Sequence, residues 1–303
     1  MKKSLFTGAI LCAIAAGTTL TSCLGNDDPK QPDTFTANLP AEMNFTAVKS
    51  LDGGEWQAFE GSSVRYMYDF SSGSMQFGVA NMKIAPTQII TFSLPAIPIT
   101  YDKDGAWSST AAGPFTVSYQ GQTHLVTNLK TYLRIPANCP AVVKTEFEVD
   151  GEYMVRVMPT VNYFGGDTKT TNLADNSPYS TDITYYNMAL DQKTMKAEMF
   201  IYRSRFVVNM PMFNLSFAEV PFKLTNDGIT FESASLTPNV VTFKQDGSVD
   251  KRTPNERFKI TDFSGSMSVA GKLDFSFNCD ASGIGNFNAT FSGTPLTNLP
   301  AVN

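Results

Sequence analysis

LSFAEVPFKLTNDGIT, residues 215 to 230, sets apolar side chains at Val220, Phe222 and Leu224, turns at Asp227-Gly228, and resumes with Ile229. Alternation with a period of two marks a half-buried strand, because successive side chains on extended backbone point to opposite faces. Asp-Gly is favoured between two such strands, since a tight hairpin turn needs φ > 0 at both central positions. The same arrangement occurs earlier. FSLPAIPITYDKDGAW, residues 92 to 107, lines up without gaps, with Ser93, Pro98, Asp104 and Gly105 on Ser216, Pro221, Asp227 and Gly228. Ile97, Ile99 and Tyr101 then fall on Val220, Phe222 and Leu224.

Outward from this pair, Tyr66, Tyr68, Phe70 and Met75 correspond to Tyr186, Met188, Leu190 and Met195. Downstream, Asn138, Cys139 and Phe147 correspond to Asn278, Cys279 and Phe287. Order kept over such a span predicts two copies of one β unit, residues 41–150 and 151–303, meeting near Asp150-Gly151. The second copy carries a longer polar stretch, Thr237 to Glu256, which predicts an extended surface loop. Elsewhere, short apolar or alternating runs such as Val64 to Phe70, Met195 to Tyr202 and Phe287 to Phe291 end at turn residues. No stretch sustains a capped 3.6-residue period. The expected class is all-β, with any helix short.

Composition supports a folded chain. Of 303 residues, 23 are Phe and 13 Met, while 17% are charged, so there is ample side-chain mass to bury. Apart from Lys2 and Lys3, the 21 remaining basic residues (23 − 2) are scattered, without a run or a basic–aromatic stripe, which argues against nucleic-acid binding.

The N-terminus reads as an export signal: Lys2 and Lys3, an apolar core from Leu5 to Ala16, then Leu20-Thr21-Ser22-Cys23. A core of about a dozen residues is short of the roughly 20 needed to span a bilayer. LTSC resembles the lipobox of bacterial lipoproteins. That resemblance implies cleavage of residues 1–22 and acylation of Cys23, with several acyl chains giving stable attachment to the membrane. Losing Lys2 and Lys3 would move the formal charge from −5 to −7 (−5 − 2). Residues 23–40, with Asn26, Asp27, Asp28, Pro29 and Pro32, are expected to form a flexible lipidated tether. The acidic residues after the cysteine are similar to the surface-export signal of Bacteroidetes lipoproteins. They imply the outer face of the outer membrane, with the periplasmic face as the alternative.

FVVNMPMFNLSFAEVPFKLTNDGITFES (206–233), ITDFSGSMSVAGKLDFSFNC (260–279) and NATFSGT (288–294) resemble the calycin-like, or lipocalin-like, lipoproteins of Bacteroidetes. The second copy, Tyr185 to Thr294, fits that pattern. The first departs from it, with Thr127-Asn128-Leu129-Lys130 in place of Thr261-Asp262-Phe263-Ser264 and with Pro140 after its cysteine. The resemblance implies two tandem antiparallel calycin-like barrels or curved sheets, and it carries no chemistry. Two β-sandwich domains are the competing architecture.

Catalytic and metal-binding groups are sparse. His124 is the only histidine, with no nucleophile frame near it, and reads as a surface-loop residue. Asp102/Asp104, Glu146/Glu148 and Asp246/Asp250 read as solvated charges rather than glycosidase pairs or a calcium loop. Cys12 would leave with the signal. Cys139 and Cys279 read as free, buried thiols rather than a bridge, and no Cys/His spacing suits zinc. Trp56 and Trp107 are candidates for a sugar-stacking platform. The expected function is a non-catalytic envelope binding or structural module of unknown ligand, without catalytic residues, metal or cofactor. The alternatives are a carrier of an apolar small molecule, an accessory glycan binder, or a fimbrial subunit-like protein.

Overall fold

A computed structural model describes residues 33–103, 105–135, 141–244 and 249–296. The signal segment, Cys23, Asp104, Cys139 and Asp246 lie outside the described residues. The protein is all-β; no helix occurs among the described residues. The chain divides into two compact units, which within the described residues are 33–135 with 141–159, and 160–296.

The first unit contains β1 (Thr34–Leu39), β2 (Asn44–Ser50), β3 (Gln57–Phe59), β4 (Ser63–Asp69), β5 (Ser74–Ala85), β6 (Gln88–Ser93) and β7 (Ile97–Pro98). It continues with β8 (Thr100–Tyr101), β9 (Trp107–Ala111), β10 (Phe115–Tyr119), β11 (Gln122–Arg134), β12 (Val142–Val149) and β13 (Tyr153–Pro159). One sheet runs β1-β4-β5-β6 with β7 on β5; the other runs β3-β2-β13-β12-β11-β9-β8 with β10 on β11. Alternating residues of both, including Tyr66, Phe77, Val143, Phe147 and Val155, form one core. Phe77 meets Phe147 across it at 5.6 Å. Two antiparallel sheets over one core are a sandwich.

Two expected boundaries move. The tether was expected to reach residue 40, yet Phe35, Ala37 and Leu39 alternate into the core, and β1 pairs with β4 from Thr34 onward. Asp150-Gly151 is not a boundary between units but the turn joining β12 to β13, with φ of 57° and 66° as a tight hairpin requires. β13 completes the first unit by pairing with β2, and the second unit begins at Thr160.

The second unit contains β14 (Val161–Asn172), β15 (Pro178–Thr181), β16 (Tyr185–Asp191), β17 (Lys196–Ser204), β18 (Phe213–Thr225) and β19 (Gly228–Leu236). It ends with β20 (Asn239–Phe243), β21 (Val249–Pro254), β22 (Phe258–Ser268), β23 (Leu273–Ala281) and β24 (Gly285–Pro295). The order β17-β16-β14-β24-β23-β22-β19-β18 returns through β18 to β17, a closed eight-stranded antiparallel barrel. Closure leaves no free edge in the ring. Within Thr237 to Glu256, expected as a loop, the described residues form two antiparallel paired strands, β20 and β21. Val241, Phe243 and Val249 pack them over Tyr185, Phe200 and Tyr202 on the outside of the barrel.

The ladders align the two copies. β11 carries a bulge between Thr127 and Lys130 with Asn128 at φ 52°, and β22 carries one between Thr261 and Ser264 with Asp262 at φ 52°. The tetrads that differ in sequence therefore do the same thing. By this register Thr127 faces Glu148 as Thr261 faces Asn278, so the counterpart of Cys279 is Val149, not Cys139. Upstream, Tyr68 opposes Met75 as Leu190 opposes Ala197, a slip of two from the sequence alignment. A slip of two keeps every side chain on its face, which hides it from pattern reading. Ile97, Ile99 and Tyr101 do match Val220, Phe222 and Leu224: Tyr101 opposes Trp107 and Leu224 opposes Ile229 beside the equivalent turn.

Candidate functional site

The first unit projects a row of rings from its core to its surface at the turns β4–β5 and β8–β9. Tyr66 stacks on Tyr68 (6.5 Å between centroids) and Tyr68 on Phe70 (6.0 Å). Phe70 lies 4.7 Å from Trp107, tilted by 37°, and Trp107 lies 4.7 Å from Tyr101, tilted by 48°. Tyr66 and Tyr68 are buried, Phe70 and Trp107 half-buried, and Tyr101 is 59% exposed. Strand pairing sets this gradient. Tyr101 and Trp107 are directly opposed, which brings their side chains together on one face. β8 is a two-residue edge strand with both residues exposed, which leaves Tyr101 open to solvent. Ile99 N–H, between β7 and β8, donates to Gly73 C=O at 3.0 Å and ties the β4–β5 turn to the start of β8. Asp69 accepts from Ser71 N–H and Oγ–H (3.0 and 2.6 Å) and from Ser72 N–H, and these bonds hold its carboxyl below the usual range.

The other sequence candidates are placed elsewhere. Trp56 does not join Trp107; its ring packs under the Arg156 guanidinium at 4.4 Å. His124 is not a loop residue. It sits in β11 at 4% exposure, with Nδ1 2.8 Å from Asp150 Oδ2. A carboxylate only accepts, so Nδ1 is the donor. Asp150 Oδ1 also accepts from Leu125 N–H at 2.8 Å. The pair is a latch between β11 and the β12–β13 turn. Glu146 and Glu148 share a face of β12 as expected, but both are engaged. Glu146 accepts from Arg156 Nε at 2.8 Å and Glu148 from Asn128 Nδ2 at 2.8 Å. Asp102 is half-buried and Asp250 exposed. Cys279 is free and buried, and burial, with Asp280 nearby, pushes its thiol up to about 12. Among the described residues, no group of three His, Cys, Asp or Glu side chains is placed to hold a metal.

The barrel interior is occupied by its own side chains. Tyr186 of β16 touches Phe275 of β23 at 4.8 Å and Phe291 of β24 at 4.0 Å. Phe217 of β18 reaches Phe277 of β23 at 6.4 Å. Phe206, in the β17–β18 connection, folds into the barrel end against Phe287 and Phe277, its carbonyl accepting from Thr170 Oγ1 at 2.7 Å. Among the described residues, this unit carries surface recesses. One of about 420 Å³ is lined by Leu173, Ala281 and Asn286, and one of about 610 Å³ by Asp167, Lys169, Asp274, neighbouring serines and parts of Phe275 and Phe291.

No protein-family model matches the chain, and no curated protein matches it. Solved structures do. One is a protein from Bacteroides fragilis provisionally named an outer membrane protein (10% identity, TM-score 0.29, 86% of this chain and 97% of that one). Another is a transferrin-binding protein B variant from Haemophilus parasuis (9% identity, TM-score 0.24, 88% and 77%). A third is transferrin-binding protein B from Neisseria meningitidis (9% identity, TM-score 0.22, 86% and 78%). Similarity at this level speaks to neither ligand nor activity.

Proposed function

We propose that this chain is a non-catalytic, lipid-anchored outer-membrane module of the calycin-like type, displayed at the cell surface through Cys23, that binds its ligand on an outer surface. The observation that carries this reading is the packed barrel. Rings from strands that are not neighbours meet across the interior, from Tyr186 to Phe275 and from Phe217 to Phe277. A small barrel filled by its own side chains is a scaffold rather than a container. This weighs against the apolar-carrier alternative and in favour of recognition outside the barrel.

Two measurements test it. In cell fractionation, the wild-type chain should follow the outer membrane and be removed from intact cells by added protease, while Cys23→Ala should be released as soluble protein. A Cys23→Ala chain that stays in the membrane would sink the anchoring. Protection of the wild type from protease would move it to the periplasmic face. Native mass spectrometry of the detergent-extracted chain should give the acylated polypeptide alone; added mass that departs on unfolding would restore the carrier.

A further inference from the structure

We propose that the Tyr101–Trp107–Phe70 ledge is a carbohydrate site that stacks pyranose rings carrying equatorial hydroxyls. The proposal rests on reading the protein as a surface binding module and names the place and the ligand class. A pyranose whose hydroxyls are equatorial leaves its axial C–H groups on both faces. Those weakly positive C–H groups pack against the negative face of an aromatic ring, and the hydroxyls remain at the rim for hydrogen bonds.

The ledge has both parts. At 4.7 Å between centroids, tilted by 37° and 48°, the rings lie against one another: Phe70 and Trp107 pack on the core and back Tyr101, which is 59% exposed and offers the open aromatic surface. The ledge is rigid before any ligand arrives. Trp107 is held in the β9 ladder opposite Leu133 and Tyr101, and Ser109 Oγ, two residues on, donates to Pro98 C=O at 2.6 Å. A preformed site avoids the ordering cost of binding. Exposed Lys103 supplies donors and half-buried Asp102 an acceptor, while the exposed Ser71 and Ser72 hydroxyls, already bonded to Asp69 and Ser74, retain acceptor capacity. Other occupants fit less well. A stable protein partner needs on the order of 800 Å² per side, more than three rings offer. An anionic membrane surface is recognised by clusters of about four to eight basic residues, and this rim has Lys103 alone.

The test uses the full mature chain with Trp56→Phe, which leaves Trp107 as the sole tryptophan of the two. Cellotetraose, all equatorial, should change Trp107 emission saturably, and a galactose tetramer with axial hydroxyls should bind at least about tenfold more weakly. Tyr101→Ala removes an exposed ring, so its melting temperature should hold while cellotetraose affinity falls about tenfold. Absence of a saturable signal with both cellotetraose and chitotetraose would overturn the site. So would an unchanged affinity in Tyr101→Ala, and equal binding of the galactose tetramer would overturn the equatorial rule. If surface display by fractionation stands while these titrations fail, the site is wrong and the module reading survives.

Discussion

Asn128 and Asp262 both hold left-handed backbone inside a strand, a conformation that costs most side chains about 1–2 kcal/mol. Each also bonds across the bulge, Asn128 Nδ2 to Glu148 at 2.8 Å and Asn278 Nδ2 to Asp262 at 2.9 Å. Asn128→Ala and Asp262→Ala should each lower stability by about 1–2 kcal/mol in urea titrations, and Asn128→Gly by less, because glycine accepts the backbone freely. Equal losses for alanine and glycine would show that backbone strain is not the cause. Lys144 is a second residue-scale case. It is 6% exposed, and burial, with the Arg156 guanidinium beside it, depresses its ammonium to about 8. Lys144→Met should therefore stabilise the protein at pH 7 by roughly 2–3 kcal/mol. The native state holds this proton less tightly than the unfolded chain, so wild-type stability rises between pH 8 and the ordinary lysine value of 10.5, and the gain should shrink there. A gain constant with pH would mean that packing, not charge, is responsible.

At the scale of elements, β18 is the piece that closes the barrel. It pairs with β17 on one side and β19 on the other, whereas its counterpart in the first unit breaks into β6, β7 and β8 and changes sheet. The turn after β18 depends on Gly228. Its φ is 143°, and an added Cβ would lie 2.0 Å from Met267 C=O. Gly228→Ala should cost at least about 2 kcal/mol, read as an early thermal transition of the second unit. A neutral outcome would mean that the turn relaxes at no cost. These elements were mostly legible in the residues, because alternation and Asp-Gly punctuation are local. The ledge was only half legible. Trp107 stands out in the sequence as a candidate, whereas Tyr101 reads only as the third position of the apolar alternation with Ile97 and Ile99. Its place just before the turn, where the strand outruns the core, was the available signal.

For the whole molecule, the closed barrel and the open sandwich should differ in exchange. Amides of the edge strands β1, β3 and β6 should exchange at least about tenfold faster than those of the β17–β18 seam, since a closed ring opens as one cooperative unit. Equal protection would argue against closure. Alkali should weaken both units. Burial raises the Tyr66, Tyr68, Tyr186 and Tyr202 hydroxyls above their ordinary 10.0, and it raises the Cys279 thiol from 9.0 to about 12. The native state holds these protons more tightly than the unfolded chain, so this stability is complete below about pH 9 and is lost as pH rises further. Residues by themselves determined an all-β chain with a duplicated hairpin and a large aromatic core, because strand period, turn chemistry and side-chain volume act over a few positions. Register, domain boundary and closure belonged to the tertiary structure. β14 pairs with both β24 and β16 and completes a ring, while its counterpart β2 meets β13 and β3, and β4 is claimed by β1. Which strand takes a free edge is a competition between segments distant in sequence. No local pattern records its outcome.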